Sequence, residues 1–303
     1  MPGARALRER LMGTEVLAVA PPAEAARVFA QLREAERIFS RFRPGSDLSR
    51  ANAAAGGEPV RVSPLLLAVL GEAIGYQRRT GGLFSPFLGA DLQRLGYAAD
   101  FAALDPGGVP EPAPPGPGPD PAAPVRIDHD RGTLGLPAGL ALDLGGFVKG
   151  WSVQRAAEDL RAPRALIDAG GDLVALRGPE GPPWRVGVAH PLRERPVGVL
   201  ELPPVAAVAT SSVARRAWRT ANGRPLHHIV DPRTGEPADS DCLQATVLLD
   251  DLAAAEVYAT CLTILGTENG PAWLARRDPA AAWITVDRAG GVRHSPGLPL
   301  EAP

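Results

Sequence analysis

Lysine is all but missing from this chain. Its 303 residues carry 32 basic side chains, yet only Lys149 is a lysine and arginine serves everywhere else. Cysteine is nearly as scarce: Cys242 and Cys261 form neither a CxxC pair nor a disulfide framework, which argues against a thiolate metal centre and permits a reducing compartment. No apolar run approaches membrane-spanning length without charges. Glu15 interrupts the apolar stretch near the N-terminus that an export signal would need, so the reading is of a cytoplasmic protein. A net charge of -2 leaves no electrostatic footprint for nucleic acid or anionic membrane. The GxxxxGK[ST] phosphate loop and the GxGxxG dinucleotide fingerprint are both lacking, which weighs against P-loop enzymes and ordinary nicotinamide or flavin oxidoreductases. What is present, 45% hydrophobic residues, suffices to bury a large core in one domain or in two packed halves.

Glu15–Ala20 reads as a strand and Ala23–Phe42 as a helix, followed by turn residues Ser46 and Asp47. Ser63-Pro64 is a helix start, and Gly81-Gly82 ends that helix. Asp105–Pro124 (DPGGVPEPAPPGPGPDPAAP) can form neither helix nor interior strand. It reads as an exposed insertion within a single domain spanning residues 1–303, the alternative being a domain boundary. Beyond Ala165, short β-rich runs dominate until a helix opens near Asp250, and AAWITVDRAGGVRHS closes the chain as a hairpin. Strand and helix do not alternate regularly, so the expected class is α+β, a mostly antiparallel sheet with packed helices.

Three stretches can carry chemistry. In DLGGFVKG, Asp143–Gly150, glycines admit close backbone approach and Lys149 stands at a helix start. A lone cation at the positive end of the helix dipole makes a shared anion the natural partner, although a solvated turn lysine is the plain alternative. In the apolar helix DDLAAAEVYATCLTILG, Glu256 and Thr260 fall four residues apart on one face, a carboxylate and a hydroxyl that could hold Mg²⁺ or could simply face solvent and the preceding turn. In HHIVDPRTGEP, one of the adjacent His227 and His228, which as strand neighbours point to opposite faces, could form an acid-base pair with Asp231, or the stretch is only a loop leaving a strand. LIDAGGDL and TGGLFSPFLG are glycine-bounded stretches whose side chains suit a ligand or the core equally.

Taken in order, MGTEV, FSRFRPGSDLSRAN, TGGLFSPFLG, LDLGGFVKGWSVQRAAEDL, ALIDAGGDL, VATSS, HHIVDPRTG and AAAEVYATCLTILG resemble the motifs of the ApbE family of FAD:protein FMN transferases from about Met12 to Gly266. The resemblance implies an ApbE/T-fold-like architecture and Mg²⁺-dependent transfer of the FMN half of FAD to a Ser or Thr hydroxyl of a target flavoprotein, with release of AMP. It implies FAD contacts at Met12, Phe42, Leu83, Phe84, Ser85, Asp143, Lys149 and His228. Metal ligation falls on Gly146 and Ala259 through their carbonyls and on the side chains of Glu256 and Thr260. His228, supported by Asp231, is the expected group that deprotonates or positions the acceptor hydroxyl. FAD hydrolysis to FMN and AMP, or FAD binding without catalysis, are the alternatives. The chain departs from the common pattern at Glu256, Ser85 and Gln154, where Asp is usual, at Phe42 for Tyr and at Ser212 for Gly.

Overall fold

The computed structural model describes residues 4–104, 108–115 and 124–301. They fall into two compact units. The first draws on the segments that end at Arg33, run Lys149–Arg215 and resume at Asp239; the second is Glu34–Val148 with Arg216–Ala238.

The first unit is built on eight strands: β1 (Arg5–Leu11), β2 (Thr14–Ala20), β3 (Arg164–Ala169), β4 (Leu173–Arg177), β5 (Val205–Ser212), β6 (Cys242–Leu249), β7 (Ala282–Asp287) and β8 (Val292–His294). They form one sheet in that order, every neighbouring pair antiparallel. This is the α+β class read from the sequence.

β5 shows why the central strands look apolar throughout. Ala206 and Val208 join a cluster with Leu166, Leu173, Leu200 and Ile284 on one face. Ala207, Ala209 and Ser211 alternate onto the other face, where Ser211 meets Thr260 of α6 (Leu252–Arg277). With both faces covered, no polar alternation is needed. Helix α6 begins on an Asp251 cap, whose carboxylate accepts the Ala254 amide at 2.9 Å, and is interrupted at Gly266 (φ 86°, ψ 172°). A Cβ at Gly266 would lie 2.5 Å from an Asp241 oxygen, so glycine is required there. Two further helices belong in part to this unit: α1 (Pro22–Phe39), which starts in it, and α5 (Val148–Glu158), which leads into it.

The second unit holds α2 (Asp47–Ala53), α3 (Pro64–Arg79), α4 (Gly89–Arg94) and small antiparallel pairings, among them Ala217–Arg219 with Pro225–His227 and Val230–Asp231 with Glu236–Pro237. Its core includes Leu92, Leu95, Tyr97, Val109, Trp218, Leu226 and Val230. The Ser63 cap and Pro64 open α3 as expected, Ser63 Oγ accepting the Leu66 amide at 3.2 Å.

Three expectations change. The first long helix stops at Phe39, because the Ser40 carbonyl turns to the hydroxyls of Ser46 and Ser49. Ser46 and Asp47 are not a bare turn: Ser46 caps α2, accepting the Ser49 amide at 3.0 Å. The Pro/Gly-rich segment is not exposed along all of its described length. Residues 105–107 and 116–123 of it are outside the described residues. In the remainder, 110–115 run along the surface, but Val109 is 7% exposed, bridged to Thr220 and bonded to Arg219 and Ala221.

Candidate functional site

In the first unit the chemistry gathers at the start of α5. Lys149 Nζ is ion-paired with Asp172 and lies 3.2 Å from Glu256 Oε1. Both carboxylates are buried, with side chains 5% and 7% exposed. Burying two carboxylates is costly unless each is paired and hydrogen-bonded, and here each is. Asp172 Oδ1 accepts the Thr210 amide at 2.9 Å, and Glu256 Oε2 accepts the Gly150 amide at 2.8 Å. The glycine is needed: a Cβ at Gly150 would stand 2.8 Å from the Leu252 carbonyl oxygen and 2.9 Å from Glu256 Oε2. One turn along α6, the Thr260 hydroxyl shares a hydrogen bond with Ser211 at 3.0 Å. The Ala259 carbonyl, expected to face a metal, accepts the Thr263 hydroxyl at 2.9 Å. Gln154 Oε1 accepts the Leu252 amide at 3.1 Å and so ties α5 to the start of α6.

Among the described residues, no three of His, Cys, Asp and Glu gather into a metal-binding group. A cation here would draw on mixed oxygen donors, the carboxylates beside Lys149 and the Thr260 and Ser211 hydroxyls. That set fits a hard divalent ion such as Mg²⁺, and an ammonium already rests between the carboxylates.

Met12 belongs to the same unit. It occupies the two-residue β1–β2 turn with φ 51°, followed by Gly13 at φ 71°. Two successive positive φ values are the mark of the turn that matches hairpin twist. Met12 is the one non-glycine residue in that region among those described, a strain that commonly marks a functional contact.

In the second unit the Asp143 carboxylate is held twice, by Arg41 Nε at 2.6 Å and by the Gly145 amide at 2.8 Å. The Arg41 side chain is 6% exposed, and its guanidinium carbon lies 4.2 Å from the Phe42 ring centre and 4.5 Å from that of Tyr97. Its Nη1 donates to the Tyr97 carbonyl at 2.6 Å, while Nη2 is buried without a hydrogen-bond partner. Burial raises the Tyr97 hydroxyl above its ordinary range, against the pull of nearby Arg216 and Arg41. Leu83, Phe84 and Ser85 are all buried. The Phe84 ring is 6.1 Å from Phe147, and Ser85 Oγ accepts the Phe87 amide at 3.2 Å. Gly146 closes the turn before α5; a Cβ there would lie 3.9 Å from Phe84.

His228 presents both its amide and its ring Nδ1 to the Arg216 carbonyl, at 3.2 and 3.3 Å. An Nδ1–H donated to that carbonyl makes Nε2 the acceptor nitrogen of the neutral ring. Asp231, expected to support His228, is given to Arg233: both carboxylate oxygens meet the guanidinium at 2.6–3.1 Å, and Oδ1 also accepts the Arg233 amide. Burial raises the Asp231 carboxyl, but these bonds outweigh it and hold the group below its usual range. Asp231 therefore secures the turn that follows His228.

Two residues of these clusters escaped the sequence reading. Asp172 sits in a glycine turn whose composition says only turn, and Arg41 is one arginine among many in an Arg-rich chain. The GGD spacing beside a strand was the available signal for Asp172.

The ApbE family model matches residues 12–284. The FAD:protein FMN transferase of Treponema pallidum is 30% identical over 288 residues, covering 89% of this chain and 79% of that protein. The one from Rhodobacter capsulatus is 31% identical over 248 residues, 80% of this chain but 46% of the longer relative. In three dimensions the ApbE protein of Thermotoga maritima superposes with a TM-score of 0.83 over 97% of both chains at 23% identity, which speaks to the fold alone. On the family match and the 30% relative, this chain belongs to the ApbE family.

Proposed function

We propose that this protein transfers the FMN moiety of FAD to a Ser or Thr hydroxyl of a target flavoprotein and releases AMP. The observation that carries the reading is the buried Asp172–Lys149–Glu256 cluster beside the Ser211–Thr260 hydroxyl pair. In a family whose relatives carry that activity in their names, it is a preorganised cation and hard-oxygen site at a helix start. Phosphoryl transfer depends chiefly on positioning and charge neutralisation, which such a site supplies.

In this scheme Lys149 meets the pyrophosphate charge, and Glu256 with Thr260, joined by the Gly146 and Ala259 carbonyls, would hold Mg²⁺. When bound, the metal neutralises charge that builds on phosphate oxygens. The acceptor hydroxyl oxygen forms a bond to the FMN phosphorus as the bond from that phosphorus to the AMP oxygen breaks, and AMP leaves with the bonding electrons. His228 Nε2 takes the hydroxyl proton. Met12, Phe42, the Leu83–Ser85 segment and Asp143 orient the flavin nucleotide. Residues 1–303 act as one catalytic domain, and the free, buried Cys242 and Cys261 suit a cytoplasmic setting. Among the described residues, no helix is long and apolar enough to cross a membrane.

The test is incubation with FAD and Mg²⁺, with and without a flavin-acceptor domain, following AMP and acceptor-bound flavin together. Acceptor-bound flavin equal to AMP is the expected result. AMP with free FMN alone would replace transfer by hydrolysis, and tight FAD binding without AMP would make the protein a flavin carrier.

A further inference from the structure

One cation and two buried carboxylates share a small volume around Lys149, and each carboxylate has a second, fixed partner. The ammonium is ion-paired with Asp172 and lies 3.2 Å from Glu256 Oε1. Asp172 is itself pinned to β5 by the Thr210 amide at 2.9 Å, and Glu256 to α5 by the Gly150 amide at 2.8 Å. Neither carboxylate is therefore placed to follow the ammonium, whereas lysine has a flexible four-carbon stem. One positive and two negative charges leave the cluster one net negative charge, which buried surroundings make attractive to a further cation.

We propose that Lys149 is a resident counter-ion that competes with the divalent metal for Glu256, and that Asp172 is the positioning residue that holds the ammonium aside when the metal enters. The inference rests on reading Glu256 as a metal ligand. With Asp172 present, the ammonium keeps a full partner when Glu256 turns to the metal. Without that partner it falls back on Glu256 and blocks it. The chain's sole lysine then has a reason to be lysine: a planar guanidinium would bridge the carboxylates and release neither one readily.

The experiment titrates MnCl₂ alone into the full chain without FAD, reading free Mn²⁺ by its electron paramagnetic resonance signal. Lys149→Met should bind Mn²⁺ at least about tenfold more tightly than wild type, because the competing charge is gone. Asp172→Asn should bind at least about threefold more weakly, although the amide oxygen keeps an acceptor for Thr210. Lys149→Arg should not exceed wild type. A merely structural Asp172 would lower stability without moving Mn²⁺ affinity in the opposite sense from Lys149→Met. Unchanged or weaker binding in Lys149→Met, or tighter binding in Asp172→Asn, overturns the proposal. If Lys149→Met does not fold, the charge-conserving double variant Lys149→Met/Asp172→Asn takes its place and must bind Mn²⁺ more tightly than Asp172→Asn. AMP release by wild type with FAD and Mg²⁺ is scored separately. Turnover with the wrong Mn²⁺ pattern sinks this inference alone, and the right pattern without turnover sinks the transferase reading alone.

Discussion

Replacing Gly150 with alanine should destabilise the protein, although alanine is the better helix former. In an open helical position the exchange favours the folded state by up to about 1 kcal/mol. Gly150 is not open: the new Cβ would stand 2.8 Å from the Leu252 carbonyl oxygen, a backbone atom, and 2.9 Å from Glu256 Oε2. Relieving such overlap in packed surroundings costs about 1–3 kcal/mol. Separating α5 from α6 also weakens the 2.8 Å bond from the Gly150 amide to a buried carboxylate, worth about 1.5–3 kcal/mol when fully lost. With bond loss partial, the net cost is about 2 kcal/mol. Gly71 and Gly75 in α3 provide the internal control, since a Cβ at either meets nothing within 4 Å. Gly71→Ala should therefore raise stability by up to about 1 kcal/mol. Urea unfolding followed by tryptophan fluorescence reads both signs, and Trp151 beside Gly150 is a local reporter. Gly150→Ala matching wild type, or shifting the midpoint upward as Gly71→Ala does, would refute the close approach of the two helices at this glycine.

Three other outcomes follow from single residues. Burial raises the Asp47 carboxyl, but bonds from the Ser63 side chain and amide, together with Arg50, more than offset it and depress the folded-state value. The stabilisation is then full above the unfolded carboxyl's pKa of about 4 and is lost as pH falls through the folded value. Asp47→Asn should cost about 1–3 kcal/mol at neutral pH and nothing in strong acid; a gap independent of pH in circular-dichroism unfolding curves would refute this. Burial also pushes the Cys242 thiol up to about 12 and Cys261 upward as well. Neither should react with a disulfide reagent in the folded protein at mildly alkaline pH, and labelling faster than unfolding would contradict that burial. Met12→Gly relieves a φ of 51° and should raise stability by up to about 1 kcal/mol. FAD affinity should fall at the same time, and a fluorescence titration showing undiminished affinity would remove Met12 from the binding residues.

Much of this was legible in the chain, for reasons that differ by element. Ser63-Pro64 announced α3 because its cap is a local hydrogen bond that neighbouring residues suffice to make. Ser46-Asp47 was ambiguous because the same residue types close turns and open helices, and α2 has only seven residues of pattern to separate the two. β1 was hidden by its charges: RALRERL has the composition of a solvated segment, yet it is an edge strand whose Arg8 pairs with Glu15 of β2. Lys149 and Glu256 stood out by rarity and by helical spacing. Asp172 could not, because what distinguishes it is a contact between a glycine turn, with φ 73° and 101° at Gly170 and Gly171, and the start of helix α5. Local patterns report local bonds, while charge pairing between distant segments appears only once the sheet has set their register.

That distinction bears on Glu256, which stands where the sequence resemblance leads one to expect aspartate. The exchange looks conservative, but Glu256 uses its length: Oε2 reaches the Gly150 amide at 2.8 Å while Oε1 stays 3.2 Å from Lys149. Aspartate would draw the carboxylate back by about 1.5 Å, the length of one carbon–carbon bond. The Gly150 amide would then lose its acceptor inside a packed helix junction, a cost of about 1–3 kcal/mol. Glu256→Asp should accordingly lower stability and weaken Mn²⁺ binding, even though it keeps the charge, because α5 is set for the longer side chain. Equal or greater stability in urea, together with equal or tighter Mn²⁺ binding, would mean that α5 can close the gap and that the glutamate's length has no structural purpose.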